Sequence, residues 1–202
     1  MIDKPELETV LTEIRACRAC APELPHELRP VVWVTPQTRL LICGQAPGRR
    51  VHESGRPFTD ASGDRLRGWM GVDYDTFYAD PRIGVAAMAF CFPGTNPKGG
   101  DFPPPPRCAQ LWRRRLIDAL EGVKLTLLVG GYAQVWALGE RAKPTMTETV
   151  RAWREYVDDG FLPMPHPSWR NTAWLKREPW FEREVVPWLR DETRRLLARS
   201  TD

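Results

Sequence analysis

Four of the chain's five cysteines carry the sharpest chemical signal. Cys17 and Cys20 form a C-x-x-C pair, and Cys91 and Cys108 have sixteen residues between them across a proline-rich stretch. Structural disulfides are rare in reducing compartments, so four converging thiolates read as a metal or iron–sulfur ligand set. Zinc fits four cysteines equally well on donor type. Unrelated thiols beside a chance C-x-x-C are the plainer alternative. Cys43 lies inside the apolar run RLLIC and reads as a small buried residue.

The remaining chemistry sits in loops. GQAPG (44–48) places two glycines and a proline directly after an apolar run. Such a loop lets backbone N–H groups approach a planar or anionic ligand, although any sharp turn looks the same. GRPF (55–58) offers Phe58 as a ring to stack on, or as a core residue. PGTNP (93–97) holds Asn96, whose amide can pair with the donor–acceptor edge of a base or close an Asx turn. His166 is one of three histidines and stands between two prolines in PHPSW. An imidazole held this way can donate to a developing oxyanion, or simply bond within its own loop. From His166 to Arg177 the sequence HPSWRNTAWLKR carries Arg170, Lys176 and Arg177, two tryptophans and no acid. That pattern suits a nucleic-acid backbone with an intercalating wedge, or a solvated helix start.

The elements that must position these loops follow from apolar patterning. Short apolar runs at 39–43, 83–92, 125–131 and 161–165 read as buried strands. Leu7, Val10, Leu11 and Ile14 mark a first helix over 5–19, opened by Asp3 or Pro5. Cys108–Leu120 reads as a second, with Leu111, Leu116, Ile117 and Leu120 as its apolar side. Further helices are expected through Trp136 and Leu138, at 147–157, and from Pro179 to Arg199, where Pro187 must start a new segment or a kink. Strands alternating with helices predict an α/β sandwich around a parallel sheet, with the ligand site beyond the carboxyl ends of the strands. GQAPG, CFPGTNP and PHPSW all follow such ends and are the candidate walls of one site.

With 202 residues, the chain is expected to form a single domain over 1–202. Its 42% hydrophobic and 27% charged residues argue against global disorder, and a chain of this length buries a core without disulfides. The net charge of +3 is too small to imply a polyanion partner by itself, so any such site must be local. No apolar run approaches the ~20 residues of a membrane span, and the polar, acidic start is no secretory signal, so a cytoplasmic protein is expected. The nine tryptophans, five of them in the last quarter, read mostly as core.

In their order along the chain these residues resemble the uracil-DNA glycosylase superfamily, and within it the iron–sulfur branch known as family four. GQAPGRRVHESGRPF is similar to its first motif, Cys91 followed by Asn96 to its second, and His166-Pro167-Ser168 to its last. Cys17, Cys20, Cys91 and Cys108 match its cluster ligands in order and spacing, and the resemblance spans about residues 10–190. It implies a three-layer sandwich, a four-stranded parallel sheet with helices on both faces. It implies a monomeric enzyme that flips uracil from DNA and hydrolyses its glycosidic bond. The same fold acting on hypoxanthine or xanthine, and a silent DNA-binding or damage-sensing module, are the alternatives.

By that resemblance Phe58 stacks on the base, Asn96 pairs with its edge, and His166 stabilises charge on O2. Ala46 of the first motif also belongs to the substrate site. Ser168 grips a phosphate, while Trp169 and Arg170 fill the gap left in the duplex. A 4Fe-4S cluster, with structural zinc as the alternative, pins the first helix to the loop bearing Asn96. The sequence departs from the family where an acid follows the first glycine, because Gln45 is no base, and covalent product trapping is therefore not expected. Arg49, Arg50, Val51 and His52 replace an acidic stretch, and TDASG (59–63) replaces VGxAG. A group that positions water is then sought among His52, Glu53 and Asp60, with Asp60 preferred.

Overall fold

The computed structural model describes residues 6–198. At its centre lie four strands, β1 (Leu40–Cys43), β2 (Ile83–Val85), β3 (Leu125–Val129) and β4 (Phe161–Met164). They run in the order β2–β1–β3–β4, every pair parallel. Parallel neighbours need crossovers, and helices supply them. Helix α1 (Leu7–Ala16) precedes the sheet, and α2 (Arg49–Ser54), α3 (Ala61–Met70) and α4 (Tyr74–Ala79) join β1 to β2. Helix α5 (Pro106–Ala119) leads into β3, and α6 (Gly131–Leu138), α7 (Met146–Arg151) and α8 (Arg154–Val157) lie between β3 and β4. Helices α9 (Thr172–Arg177) and α10 (Val186–Leu196) follow.

Side chains alternate across a strand, and here the alternation builds three layers. Leu40, Ile42, Leu125, Leu127 and Val129 face one way, onto Leu66, Trp69 and Met70 of α3, Trp174 of α9 and Leu189 of α10. Leu41 faces the other way, onto Val10, Leu11 and Ile14 of α1 and Leu116 of α5. Cys43 and Leu128 share that side with Ala133 and Leu138 of α6. The expected three-layer α/β sandwich is therefore the fold. Cys43 is fully buried, as its setting in the apolar run suggested.

Several boundaries differ from those the sequence suggests. The 83–92 run is strand only to Val85, although the chain beyond it stays tied to the end of β1. Ala86 N–H donates to Ile42 O, Met88 N–H to Gly44 O and Ala89 N–H to Gln45 O. The expected helix over 147–157 is two short ones, α7 and α8. On α5 the apolar side is not as expected: Leu111 is exposed, whereas Arg113 is buried, its Nη1 donating to Ala86 O at 2.7 Å. A carbonyl-lined pocket absorbs the guanidinium, which no periodicity rule anticipates. Pro187 does begin a new segment, in the first turn of α10 after a π-helical turn over Phe181–Val185. Asp3, Pro5 and Arg199 lie outside the described residues. Trp153 and Trp174 are core, but Trp169 is 72% exposed. Among the described residues no helix is long and apolar enough to cross a membrane.

The strand order reverses direction between β1 and β3, because the chain leaves β1 for β2 on one side and returns to β3 on the other. A crevice opens beyond the carboxyl ends at such a switch point. Leu41 anchors the strand that defines it. Leu41→Ala is expected to cost about 2–5 kcal/mol of unfolding free energy, measured by urea denaturation.

Candidate active-site cleft

An open cleft of about 360 Å³ occupies that crevice. The loop after β1 supplies Gln45, Ala46 and Pro47, the segment before α3 supplies Phe58 and Asp60, and the loop after β4 supplies His166, Ser168, Trp169 and Arg170. Val85 and Ala87 form part of its wall. Eight of the residues singled out from the sequence thus meet in one place although more than 120 positions separate the first from the last.

His166 is held in one tautomer. Ser168 N–H donates to His166 Nδ1 at 3.2 Å, so the proton of the neutral ring sits on Nε2. Burial, reinforced by Arg170, pulls its pKa below the ordinary 6.5 against the opposing pull of Asp60. Asn171 Nδ2 donates to His166 O at 2.7 Å, and Arg65 Nη1 of α3 to Ser168 O at 3.0 Å, so both ends of the turn are fixed. Gly130 lies beneath, and its φ of +87° suits glycine, although a Cβ there would meet His166 Cβ only at an ordinary contact distance of 4.0 Å. The ring is a neutral donor in a rigid mount.

Phe58 is the one non-glycine residue with positive φ among those described, at +56°. The cause is its carbonyl, which accepts from Arg67 Nη1 at 2.9 Å and from Tyr78 Oη at 2.9 Å. Arg56 lies 3.9 Å above the Tyr78 ring and braces that partner. The carbonyl lies against α3, where a Cβ on Gly63 would come within 1.8 Å of it. A left-handed phenylalanine costs about 1–3 kcal/mol and persists only where its surroundings over-determine it. Here that conformation accompanies a ring on the cleft wall.

Asn96, His52 and Glu53 are placed differently. Asn96 does not line the cleft. Its Oδ1 accepts from Lys98 N–H at 2.9 Å and its N–H donates to Gly100 O, so it shapes a hairpin as an Asx turn. His52 turns away from the cleft and packs against His26, with ring centroids 4.6 Å apart, and near Phe92. Its Nδ1 is buried without a hydrogen-bond partner, and burial, followed by His26 and Arg29, lowers its pKa. Glu53 lies beside it on α2, outside the cleft lining. Asp60 lines the cleft and caps α3, its Oδ1 accepting from Ser62 and Gly63 N–H. Gln45 Nε2 donates to Phe102 O at 3.2 Å.

The cleft also contains residues to which sequence reasoning assigned no role. Arg49 and Arg50 of α2 line it, as does Asp101, the only acid between Asp80 and Asp118 in the sequence. That isolation in an acid-free stretch was the available signal. Asp101 is brought in by the bridge between Thr95 and Asp101 that closes the Asn96 hairpin. Burial raises its pKa although Arg170 and Arg49 pull the other way.

Outside the cleft, Cys17, Cys20, Cys91 and Cys108 line one apolar pocket with Ile14, Leu28 and Trp112. The four come from the end of α1, the segment after β2 and the first turn of α5. N–H groups point at three of the sulfurs: Trp112 Nε1 to Cys17 at 3.3 Å, Phe90 N–H to Cys108 at 3.4 Å, and Arg29 N–H to Cys91. Such bonds favour thiolate over thiol and accompany metal-bound sulfur. Burial opposes them, pushing Cys91 up to about 12 and Cys108 to about 11. Thiolates there need a bound cation to offset their charge. Among the described residues no group of three or more His, Cys, Asp or Glu side chains is ready to hold a single metal ion. The donor types suit an iron–sulfur group or zinc alike, and N–H groups aimed at the sulfurs accompany metal-bound thiolate in either case.

A comparison with protein-family models matches residues 31–190 to the model described as Uracil DNA glycosylase superfamily. The matched span takes in the whole sheet and every loop of the cleft, from GQAPG to HPSW.

Gly63→Ala tests the mount of Phe58. Its Cβ would collide with the Phe58 carbonyl, so the substitution is expected to cost about 1–3 kcal/mol in urea unfolding, the range for overpacking, and to displace the phenylalanine ring.

Proposed function

The chain belongs to the Uracil DNA glycosylase superfamily, and from that premise we propose that it flips uracil out of DNA and hydrolyses the glycosidic bond, leaving an abasic site. The observation that carries the reading is a neutral His166, its Nδ1 occupied and its Nε2–H free to donate, in one cleft with the strained Phe58. A base within the stack is out of reach, so it must leave the duplex at a cost of a few kcal/mol. As the C1′–N1 bond breaks, the electron pair moves onto the base and negative charge builds on O2. Nε2–H donates there, and because the donor is fixed in advance it needs no reorganisation when the charge appears. Phe58 offers its ring to the extruded base. Trp169, exposed at the mouth with the Arg170 guanidinium 5.0 Å from its ring centroid, is placed to fill the vacated stack.

The four cysteines are assigned to a 4Fe-4S cluster that ties α1, the loop after Cys91 and α5 together. The support is their convergence in one apolar pocket and the N–H groups aimed at their sulfurs. When bound, the cluster supplies a rigid cross-link. The residues named above handle substrate without it.

Purified protein incubated with oligonucleotides carrying one uracil, hypoxanthine or xanthine, followed by alkali, tests the activity. A strand break at uracil is expected, slowed about 10²–10³-fold in His166→Ala with DNA binding retained. Breakage only at a purine would move the substrate, and binding without any break would leave a silent binder. The rate should hold through neutral pH and fall below pH 6.5, because protonating Nδ1 breaks the Ser168 bond that sets the tautomer. Iron and acid-labile sulfide analysis of anaerobically purified protein checks the cluster. Brown protein absorbing near 400 nm is expected, by resemblance to the iron–sulfur branch, and colourless protein with stoichiometric zinc would refute iron.

A further inference from the structure

Hydrolysis needs a water brought to the sugar carbon, and the cleft lining holds two carboxylates, Asp60 and Asp101. Their situations differ. Asp60 is committed to the start of α3, where its Oδ1 accepts two backbone N–H groups. Asp101 makes no hydrogen bond and no ion pair among the described residues, so both of its oxygens are free. Its position is nevertheless defined. The bridge to Thr95 fixes its backbone, Phe102 N–H donates to Gly94 O at 2.9 Å, and Gln45 Nε2 holds Phe102 O. The first loop lies within contact of it: a Cβ built on Gly48 would stand 3.6 Å from Asp101 Oδ2, an ordinary contact distance. The guanidinium groups of Arg49 and Arg170 face it without pairing.

We propose that Asp101 is a catalytic residue that orients and deprotonates the attacking water, the task that the neutral amide of Gln45 cannot perform. The assignment rests on the glycosylase reading. As the C1′–N1 bond breaks and its electron pair leaves with the base, the water oxygen bonds to C1′. The water proton passes to an Asp101 carboxylate oxygen and from there to solvent or to the departing base anion. One water is consumed, and a free base and an abasic sugar are formed. Asp101 is exposed at the cleft mouth, yet partial desolvation of its carboxyl outweighs the pull of Arg170 and Arg49 and lifts its pKa above the ordinary range, which makes it a better proton acceptor than a fully solvated aspartate. Arg49 and Arg170 offset its charge where the DNA phosphates must also approach.

Single-turnover base release tests this with Asp101→Asn, Asp101→Ala and Asp60→Asn against wild type, alongside binding of the uracil oligonucleotide. Both Asp101 variants are expected to slow release by about 10²-fold or more, the scale of general base catalysis. Binding should be unchanged or tighter, because a negative charge near phosphate is gone. The ratio of wild-type to Asp101→Asn rates should shrink as pH falls and the wild-type carboxyl takes up its proton. Rates indistinguishable from wild type overturn the proposal, as does a loss matched by weakened binding, or a loss confined to Asp60→Asn. A wild-type protein that releases none of the three bases overturns the glycosylase reading itself. An active wild type with unimpaired Asp101 variants overturns only the assignment of Asp101.

Discussion

Backbone hydrogen bonds that continue past the ends of the strands hold the cleft together. Met88 N–H donates to Gly44 O at 2.8 Å and Ala89 N–H to Gln45 O at 3.1 Å, so the first loop is fastened to the segment after β2. Gly130 N–H donates to Met164 O at 2.9 Å, which fastens the end of β3 to the strand that leads to His166. The sheet thus extends its ladder into the irregular segments that carry the chemistry. These loops lie over a core that is packed on both faces, and they inherit its rigidity.

Upon this frame the site stores constraint in two forms. At Phe58 it is conformational, a left-handed backbone held by two donors on one carbonyl and admitted by the missing side chain of Gly63. At His166 it is electrostatic, a ring kept neutral by burial and oriented by the N–H of Ser168. Both fix a group in advance, which on the proposed glycosylase reading means before the base arrives. Preorganisation of this kind lowers a barrier by avoiding rearrangement in the transition state.

Helix α5 links the two chemical regions. Its first turn carries Cys108, and one turn further on Arg113 reaches under the sheet to the carbonyl of Ala86, next to Ala87 in the cleft wall. Arg107 at its start donates to Ala19 O, between Cys17 and Cys20. The cysteine pocket is therefore braced to the cleft through one helix.

Much of this was legible in the sequence. Apolar runs bounded by glycine and proline marked four buried strands, and the loops after three of them were the ones to watch. Local patterning carried that information because a buried strand needs an unbroken apolar run and a turn needs glycine or proline. Cys17, Cys20, Cys91 and Cys108 announced themselves by type and spacing. The short helices α2, α3 and α4 escaped notice, and α9 was only one of two readings of its basic segment, because tertiary packing, not their own periodicity, stabilises them. Which polar residues face the cleft was also beyond sequence. Asn96 and His52 bear the right groups, but an Asx turn claims one and an aromatic cluster the other. Asp101 and Arg113 gave no motif, yet the hairpin turns the first into the cleft and the sheet buries the second. The sequence by itself determined the strands, the loops and the inventory of reactive groups, because these follow from neighbours along the chain. Only the tertiary structure decided which of those groups meet, because that depends on the orientation of segments brought together from opposite ends of the chain.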